Sequence, residues 1–327
     1  MSVAYSLMRT VCRYAAPAGD RARLPILFYH RVLRRSDTLL PTEPDAAMFD
    51  AHMCAVANVF RVLPLEEAVE RLGSGTLPAR AACITFDDGY RDNFEIAVPI
   101  LRRHGLVATF FVATGYLGAG RMFNDTVIEV VRRLPAGEID LSWIGLPPHC
   151  IGDDASRARL FAEFVGAVKY LPAEQRLAAC DRLATFVQDH LPADLMMTPE
   201  QVRDLVRHGM SVGGHTVDHP ILANLPDEQA RSQITENRND LASLIGTAPS
   251  LFAYPNGKPG TDYTIAHARM VEEAGYRAAF STGWGVATRE SSTFQLPRIG
   301  PRDISATRFV ARVIYNAASA RPAIEAI

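Results

Sequence analysis

The stretch Ala82-Cys83-Ile84-Thr85-Phe86-Asp87-Asp88-Gly89 carries an apolar run into two adjacent carboxylates and a glycine. A short apolar run bounded by turn residues reads as a buried strand, and Asp-Gly suits the tight turn that ends it. A second stretch, Met210-Ser211-Val212-Gly213-Gly214, follows the same plan and delivers His215 and His219, two imidazoles four positions apart. One carboxylate and two histidines make an open zinc-type site, with three protein ligands and a position left for water. The second carboxylate of the pair is then free to act as a base on that water. Singly, a DDG turn is a common hydrogen-bonding loop, and histidines at i, i+4 are common on surfaces and in cores. Both stretches end strands, where α/β enzymes build their sites, and together they favour the metal reading.

Outward from these two stretches the chain alternates. Leu24–Tyr29 reads as a strand that delivers His30 to its C-terminal end. Helical patterns follow near 48–58 and at 65–72, the latter ended by Gly73. After the strand at 82–86 come a helix at 96–104, with Gly105 at its end, and a strand at 108–113. From Arg121 to His208 the patterns at 127–131, 158–170, 173–190 and 199–207 are helical, which predicts a helical insertion at about 121–208. Alternation then resumes, with strands at 210–214, 251–254, 277–281 and 294–298 and helices at 227–244, 263–273 and 306–318. Repeated βα units imply a parallel barrel or a doubly wound sheet. A barrel mouth most naturally gathers His30, Asp87-Asp88 and His215/His219. The expected organisation is an N-terminal helical segment, 1–23, and a barrel domain, 24–327.

Composition bounds the partners. At 327 residues, 48% of them hydrophobic, the chain can bury a sizeable α/β core. A formal net charge of −2 and a pI near 6.5 leave no nucleic-acid footprint. There is no dinucleotide fingerprint or P-loop, and no apolar stretch of membrane-span length. Arg9 and Arg13 interrupt the first apolar residues, so no secretory signal is read there. The five scattered cysteines fit reduced thiols, and the expectation is a cytoplasmic protein. Val3, Leu7 and Val11 fall at helical spacing, with the two arginines elsewhere on the turn. Residues 2–16 are therefore expected to pack on their own domain, with weak peripheral contact to an anionic inner-membrane face as the alternative.

The sequence TFDDG followed by HTVDH resembles the first two motifs of the polysaccharide deacetylases, the NodB-homology or carbohydrate esterase 4 family. Phe252-Ala253-Tyr254-Pro255-Asn256-Gly257 is similar to the third motif. Leu27-Phe28-Tyr29-His30-Arg31-Val32 resembles an early segment common in bacterial members. The resemblance implies a distorted (β/α)7 barrel and one divalent metal, usually zinc, held by Asp88, His215 and His219. It implies Asp87 as general base in the hydrolysis of an N-acetyl group from an amino sugar. The backbone N–H of Asn256, at the third-motif position, would stabilise the oxyanion. Thr216 and Asp218 lie inside the second motif, either supporting the imidazoles or merely stabilising the loop.

Two departures stand out. The family's third motif often has an arginine that orients the base, where this chain has Ala253. The fifth motif commonly supplies a histidine as general acid, where this chain has Gln295-Leu296-Pro297-Arg298-Ile299. His30 is the candidate for that proton delivery or for substrate contact, against the reading of a packed histidine bonded to backbone. Arg298 and Trp284 are candidate substrate contacts, and His267 is expected at the surface. The implied substrate is an N-acetylated amino sugar of a surface-glycan or glycolipid precursor, nucleotide- or lipid-linked if the protein is cytoplasmic. The alternatives are a metal-dependent amidohydrolase on a small amide or cyclic imide, and a glycan-binding protein that keeps the metal but not turnover.

Overall fold

Seven parallel strands form a ring in this computed structural model, which describes residues 3–187, 190–301, 305–319 and 326. Helix α1 (Val3–Ala15) precedes strand β1 (Ile26–Tyr29), and α2 (Ala46–Val59) starts where the Asp45 carboxylate accepts the Met48 N–H at 2.8 Å. Then come β2 (Arg61–Val62), α3 (Leu65–Gly73), β3 (Ala81–Phe86), α4 (Val98–Arg103) and β4 (Thr109–Val112). The segment between β4 and the next ring strand holds α5 (Phe123–Arg133), β5 (Gly137–Ile139), β6 (His149–Ile151), α6 (Asp154–Val168), α7 (Ala173–Ala184) and α8 (Pro199–Arg207). The ring then continues through β7 (Ser211–Gly214), α9 (Asp227–Ile245), β8 (Leu251–Ala253), α10 (Ile265–Glu273), β9 (Ala278–Trp284) and β10 (Leu296–Arg298), and α11 (Ala306–Ser319) follows.

The strand order is β1-β3-β4-β7-β8-β9-β10, every neighbour parallel. The last strand meets the first again: Phe28 N–H donates to Ile299 O at 3.1 Å and Ile299 N–H to Ile26 O at 2.8 Å. This is the distorted (β/α)7 barrel expected from the motifs, with the short β2 paired outside the ring to β3. Register sets the mouth. Tyr29 lies opposite Phe86, Phe86 opposite Phe110, and Val112 opposite Gly214. His30, Asp87 and His215 therefore leave their strands at one end of the barrel.

Ile26, Cys83, Phe111, Ala253, Phe280 and Leu296, from six different ring strands, share one buried cluster, which is possible only in the barrel interior. The opposite faces of β1, β3 and β4 pack Tyr29, Ile84, Phe86, Phe110 and Val112 against helices outside the ring. Both faces of these strands are buried, so they read as continuous apolar runs, not as alternating ones.

The segment after β4 has a core of its own, in which Val127, Val131, Leu160, Phe164 and Leu183 pack together. It is not purely helical. An antiparallel ribbon pairs Gly137 with Ile151 and Ile139 with His149, a hairpin the helical reading did not include. Helix α8 joins the main core instead, through Val202 and Leu205. The expected helix at 173–190 stops at Ala184, and residues 188–189 lie outside the described ones. Among the described residues no helix is long and apolar enough to cross a membrane.

Candidate metal and catalytic site

Asp88 stands just beyond β3 with φ of 78°, and its neighbour Asp87 is tied to β1 by a 2.9 Å bond from its N–H to Tyr29 O. Of five described non-glycine residues with positive φ, four are Asp88, Thr216, His219 and Asn256, all around this mouth. A left-handed conformation costs a residue with a Cβ about 1–2 kcal/mol, so the fold spends strain where it positions these side chains.

His215 Nδ1 lies 2.7 Å from Ala253 O. A carbonyl only accepts, so Nδ1 carries the proton and the Nε2 lone pair is left facing Asp88. The His215 N–H donates to Asn237 Oδ1 at 3.0 Å, while the Asn237 amide donates to Thr216 O and Val112 O, pinning the loop to β4. His219 Nε2 and His215 Nε2 are each 3.3 Å from Asp88 Oδ1. Burial pushes the His219 imidazole down to about 4, against the opposing pull of Asp88, so it is neutral at pH 7. Asp88 is buried too, but the surrounding histidines outweigh that burial and hold its carboxyl far below the usual range.

Asp88 Oδ1 is buried and accepts no hydrogen bond. A carboxylate oxygen and two imidazole nitrogens thus converge, these ligand atoms all within 4.8 Å of one another. Ligand atoms about 2.0–2.1 Å from one tetrahedral ion stand about 3.3–3.4 Å apart. The donor set and spacing fit a divalent cation of zinc type.

Asp87 is buried, and Arg298 reaches it across the barrel from β10. The guanidinium gives Asp87 two parallel bonds, Nη1 to Oδ1 at 2.7 Å and Nη2 to Oδ2 at 2.8 Å. Its Nε donates to Ser281 O at 3.0 Å, and it lies over the Phe28 ring at 4.9 Å. Burial alone would raise the Asp87 carboxyl, but Arg298, with His215 and His30, brings it below its ordinary value. Arg298 is 0% exposed, so it is no substrate contact, as the sequence had suggested, but the holder of Asp87. The arginine missing at Ala253 has a counterpart from another strand.

His30 lines the same cavity as Asp87, Asp88, His215 and His219, with its ring edge-on to Phe28 at 5.6 Å. Burial works to lower the His30 imidazole, yet Asp88, Glu43 and Asp87 together raise it above 6.5. Asn256 also lines the cavity; its carbonyl accepts from Thr282 Oγ1 at 2.7 Å, and its own N–H has no partner among the described residues. The cavity, about 320 Å³, is walled on its other side by Ile128, Phe161, Val165 and Lys169 of the inserted segment. Behind His30, Arg31 pairs with Asp92 at 2.8 Å and lies 4.6 Å over the Tyr90 ring, whose hydroxyl donates to Asp125 of α5 at 2.9 Å. No pattern in the sequence marked Glu43, Tyr90 or Asp125, because each acts through a neighbour distant in the chain.

Other expectations change. Asp218 is exposed and accepts from Gln233 at 2.8 Å, a loop tie and not an imidazole partner. Trp284 is outside both cavities at the mouth, its indole bonded to Asn316 at 3.4 Å. His267 is buried, 5% exposed, because its Nδ1 accepts the Thr264 N–H at 3.1 Å in the first turn of α10.

Comparison with known proteins agrees with this architecture. The polysaccharide deacetylase family model matches residues 74–141 and 167–279, more than half the chain. YxkH of Bacillus subtilis (strain 168), a polysaccharide deacetylase by name, is 23% identical over 280 residues, covering 85% of this chain and 71% of its own. The acetate complex of the Streptococcus pyogenes deacetylase PplD superposes with a TM-score of 0.61 at 18% identity, over 90% of this chain and 99% of that one. IcaB from Ammonifex degensii superposes with a TM-score of 0.56 at 19% identity, over 92% and 98%.

Proposed function

The chain belongs to the polysaccharide deacetylase family, and from that premise we propose that it hydrolyses the N-acetyl group of an amino sugar at the mouth of its barrel. The observation that carries the reading is a buried carboxylate held by Arg298 beside three converging ligand atoms. Asp88, His215 and His219 would hold a divalent metal, zinc by donor chemistry. Such an ion supplies Lewis acidity, acidifying water and polarising the acetamide carbonyl.

The chain's own groups divide the remaining work. Asp87 is the general base: Arg298 keeps it ionised and fixes its plane, so it accepts the proton of the attacking water. The unpartnered Asn256 N–H is the donor to the tetrahedral oxyanion. His30, raised by the carboxylates around it, delivers a proton to the amine as the C–N bond breaks, giving acetate and a free amino sugar. The cavity of about 320 Å³ suits a single sugar unit with its acetamide. Lys169, one of only two lysines in the chain, lines it and suits an anionic carrier such as a phosphate, in keeping with a nucleotide- or lipid-linked precursor. The alternative of a glycan-binding protein without turnover rested on two absences, the third-motif arginine and the fifth-motif histidine; Arg298 on Asp87 speaks against the first, and His30 is the candidate that answers the second.

The test is metal analysis of the purified protein with acetate release measured on N-acetylated amino sugars. Wild type is expected to hold about one metal per chain and to release acetate; Asp87→Asn is expected to keep the metal and lose about 10²–10⁴-fold in kcat. Bound metal with no release from any acetylated sugar would sink the deacetylase reading, and none from any amide either would sink the enzymatic one.

A further inference from the structure

From His215 to His219 the chain is neither helix nor strand, and Thr216 and His219 are both left-handed, with φ of 63° and 51°. So short and bent a loop cannot satisfy its own backbone. Among the described residues none of its N–H groups donates to a carbonyl of the same loop. Three of its carbonyls are met from the segment after β4. Thr114 N–H donates to Thr216 O at 3.3 Å, Gly115 N–H to Val217 O at 2.9 Å, and the Tyr116 hydroxyl to Asp218 O at 3.0 Å.

The N–H groups are met from α9. Gln233 and Asn237 stand four positions apart on that helix, hence on one face. Asn237 Oδ1 accepts the His215 N–H at 3.0 Å, and Gln233 Oε1 accepts the N–H groups of Val217 at 3.1 Å and Asp218 at 2.9 Å. Each amide also donates, Asn237 to Thr216 O at 2.6 Å and Gln233 to the Asp218 carboxylate at 2.8 Å. Asn237 is 0% exposed, on a helix that otherwise buries Ala230, Ile234 and Leu241. Packing asks only for apolar residues on a buried face, and a buried amide is costly unless it is bonded. The packing of α9 therefore does not account for Asn237; the path of the loop does. A carboxylate at 237 would accept the His215 N–H but repel the Thr216 carbonyl, whereas an amide serves both.

On the reading that Asp88, His215 and His219 hold a divalent ion, we propose that Gln233 and Asn237 are its positioning residues. Asn237 fixes the backbone at His215 and Thr216, and Gln233 fixes it at Val217 and Asp218, just before His219. Between them they aim both imidazoles at Asp88 Oδ1, which each Nε2 approaches to 3.3 Å. A loop without them would have to recover that convergence on binding the ion, at a cost in affinity.

The test is zinc affinity, read by titrating the zinc-loaded full chain with a chromophoric chelator. Thermal unfolding with the chelator in excess reads the stability of the fold alone. Gln233 is half-buried, so Gln233→Met is expected to unfold near the wild-type temperature and to bind zinc about 10–100-fold more weakly. Asn237→Ala is expected to weaken zinc at least as much; if it does not fold, Gln233→Met decides alone. Ile234→Ala is the control, since Ile234 packs with Phe252 and Val271 on the same helix and makes no bond to the loop. It is expected to unfold at a lower temperature with wild-type zinc affinity. Wild-type affinity in Gln233→Met, or a loss in Ile234→Ala as large as that in Gln233→Met, overturns the proposal, because the amides would then serve the fold alone. A wild-type chain that takes up no zinc overturns the metal reading itself, and the proposal with it.

Discussion

Arg298 is fully buried, and a guanidinium out of water is tolerable only when its charge and its N–H groups are met. Asp87, Ser281 O and Thr85 Oγ1 meet them at 2.7–3.2 Å. A lysine keeps the charge but cannot make two parallel bonds to one carboxylate. Arg298→Lys is therefore expected to lower kcat about 10²-fold with little change in KM, measured by acetate release under saturating substrate. Arg298→Met leaves Asp87 buried without its counter-charge, and urea unfolding should show a loss of about 3–5 kcal/mol. If both variants turn over like wild type, Arg298 has no part in holding the base. His30 belongs to the same scale. His30→Ala is expected to keep its metal, lose about 10²–10³-fold in kcat, and lose the alkaline limb of its pH profile. A packed histidine would leave that limb in place. Asp87, Asp88, His215 and His219 were legible because they sit a few positions apart in two strand-ending runs. Arg298 was legible as a candidate but not in its role, since its partner lies 211 positions away.

At the scale of the element, β7 shows how a strand serves a site by what it lacks. A Cβ on Gly213 would come within 2.4 Å of the Phe111 ring, and one on Gly214 within 2.1 Å of the Tyr276 hydroxyl. Gly213 leaves room for the Phe111 ring of β4, and Gly214 lets Tyr276 and Asn237 close on the strand that delivers His215. Gly213→Ala is expected to cost about 1–3 kcal/mol and to weaken metal retention, because His215 follows the strand directly. Thermal unfolding and metal analysis after dialysis check both, and unchanged metal retention would separate the strand's packing from the site. The ring strands were readable from their apolar runs. The ribbon of β5 and β6 was not, since three-residue strands such as Gly137-Glu138-Ile139 carry no period and depend on pairing across the hairpin.

The whole molecule joins the inserted segment to the barrel through a buried acid. Asp125 accepts from the Tyr90 hydroxyl at 2.9 Å and from the Met122 N–H at 3.1 Å. Burial pushes its carboxyl up to about 7, with Arg31 and the two donors working against that rise. The folded state therefore keeps this proton between about pH 4 and pH 7, where the unfolded chain has lost it. Stability from this group is full below about pH 4 and is lost as pH rises through about 7, with a slope of up to about 1.4 kcal/mol per pH unit. Urea unfolding of wild type and Asp125→Asn across that window should show wild type losing stability relative to the variant as pH rises. Parallel curves would show that Asp125 does not titrate there.

The sequence by itself determined the alternating strand and helix units, with a closed barrel implied by the family resemblance, and set Asp87-Asp88 and His215/His219 at strand ends, because such runs and spacings are fixed within a few positions. Only the tertiary structure decided what holds Asp87, what shares the cavity with His30, and which helix holds the loop of His215 and His219. Each of those depends on which residues meet across the closed ring or on the helices outside it. A chain read one position at a time does not contain those distances; strand register and barrel closure create them.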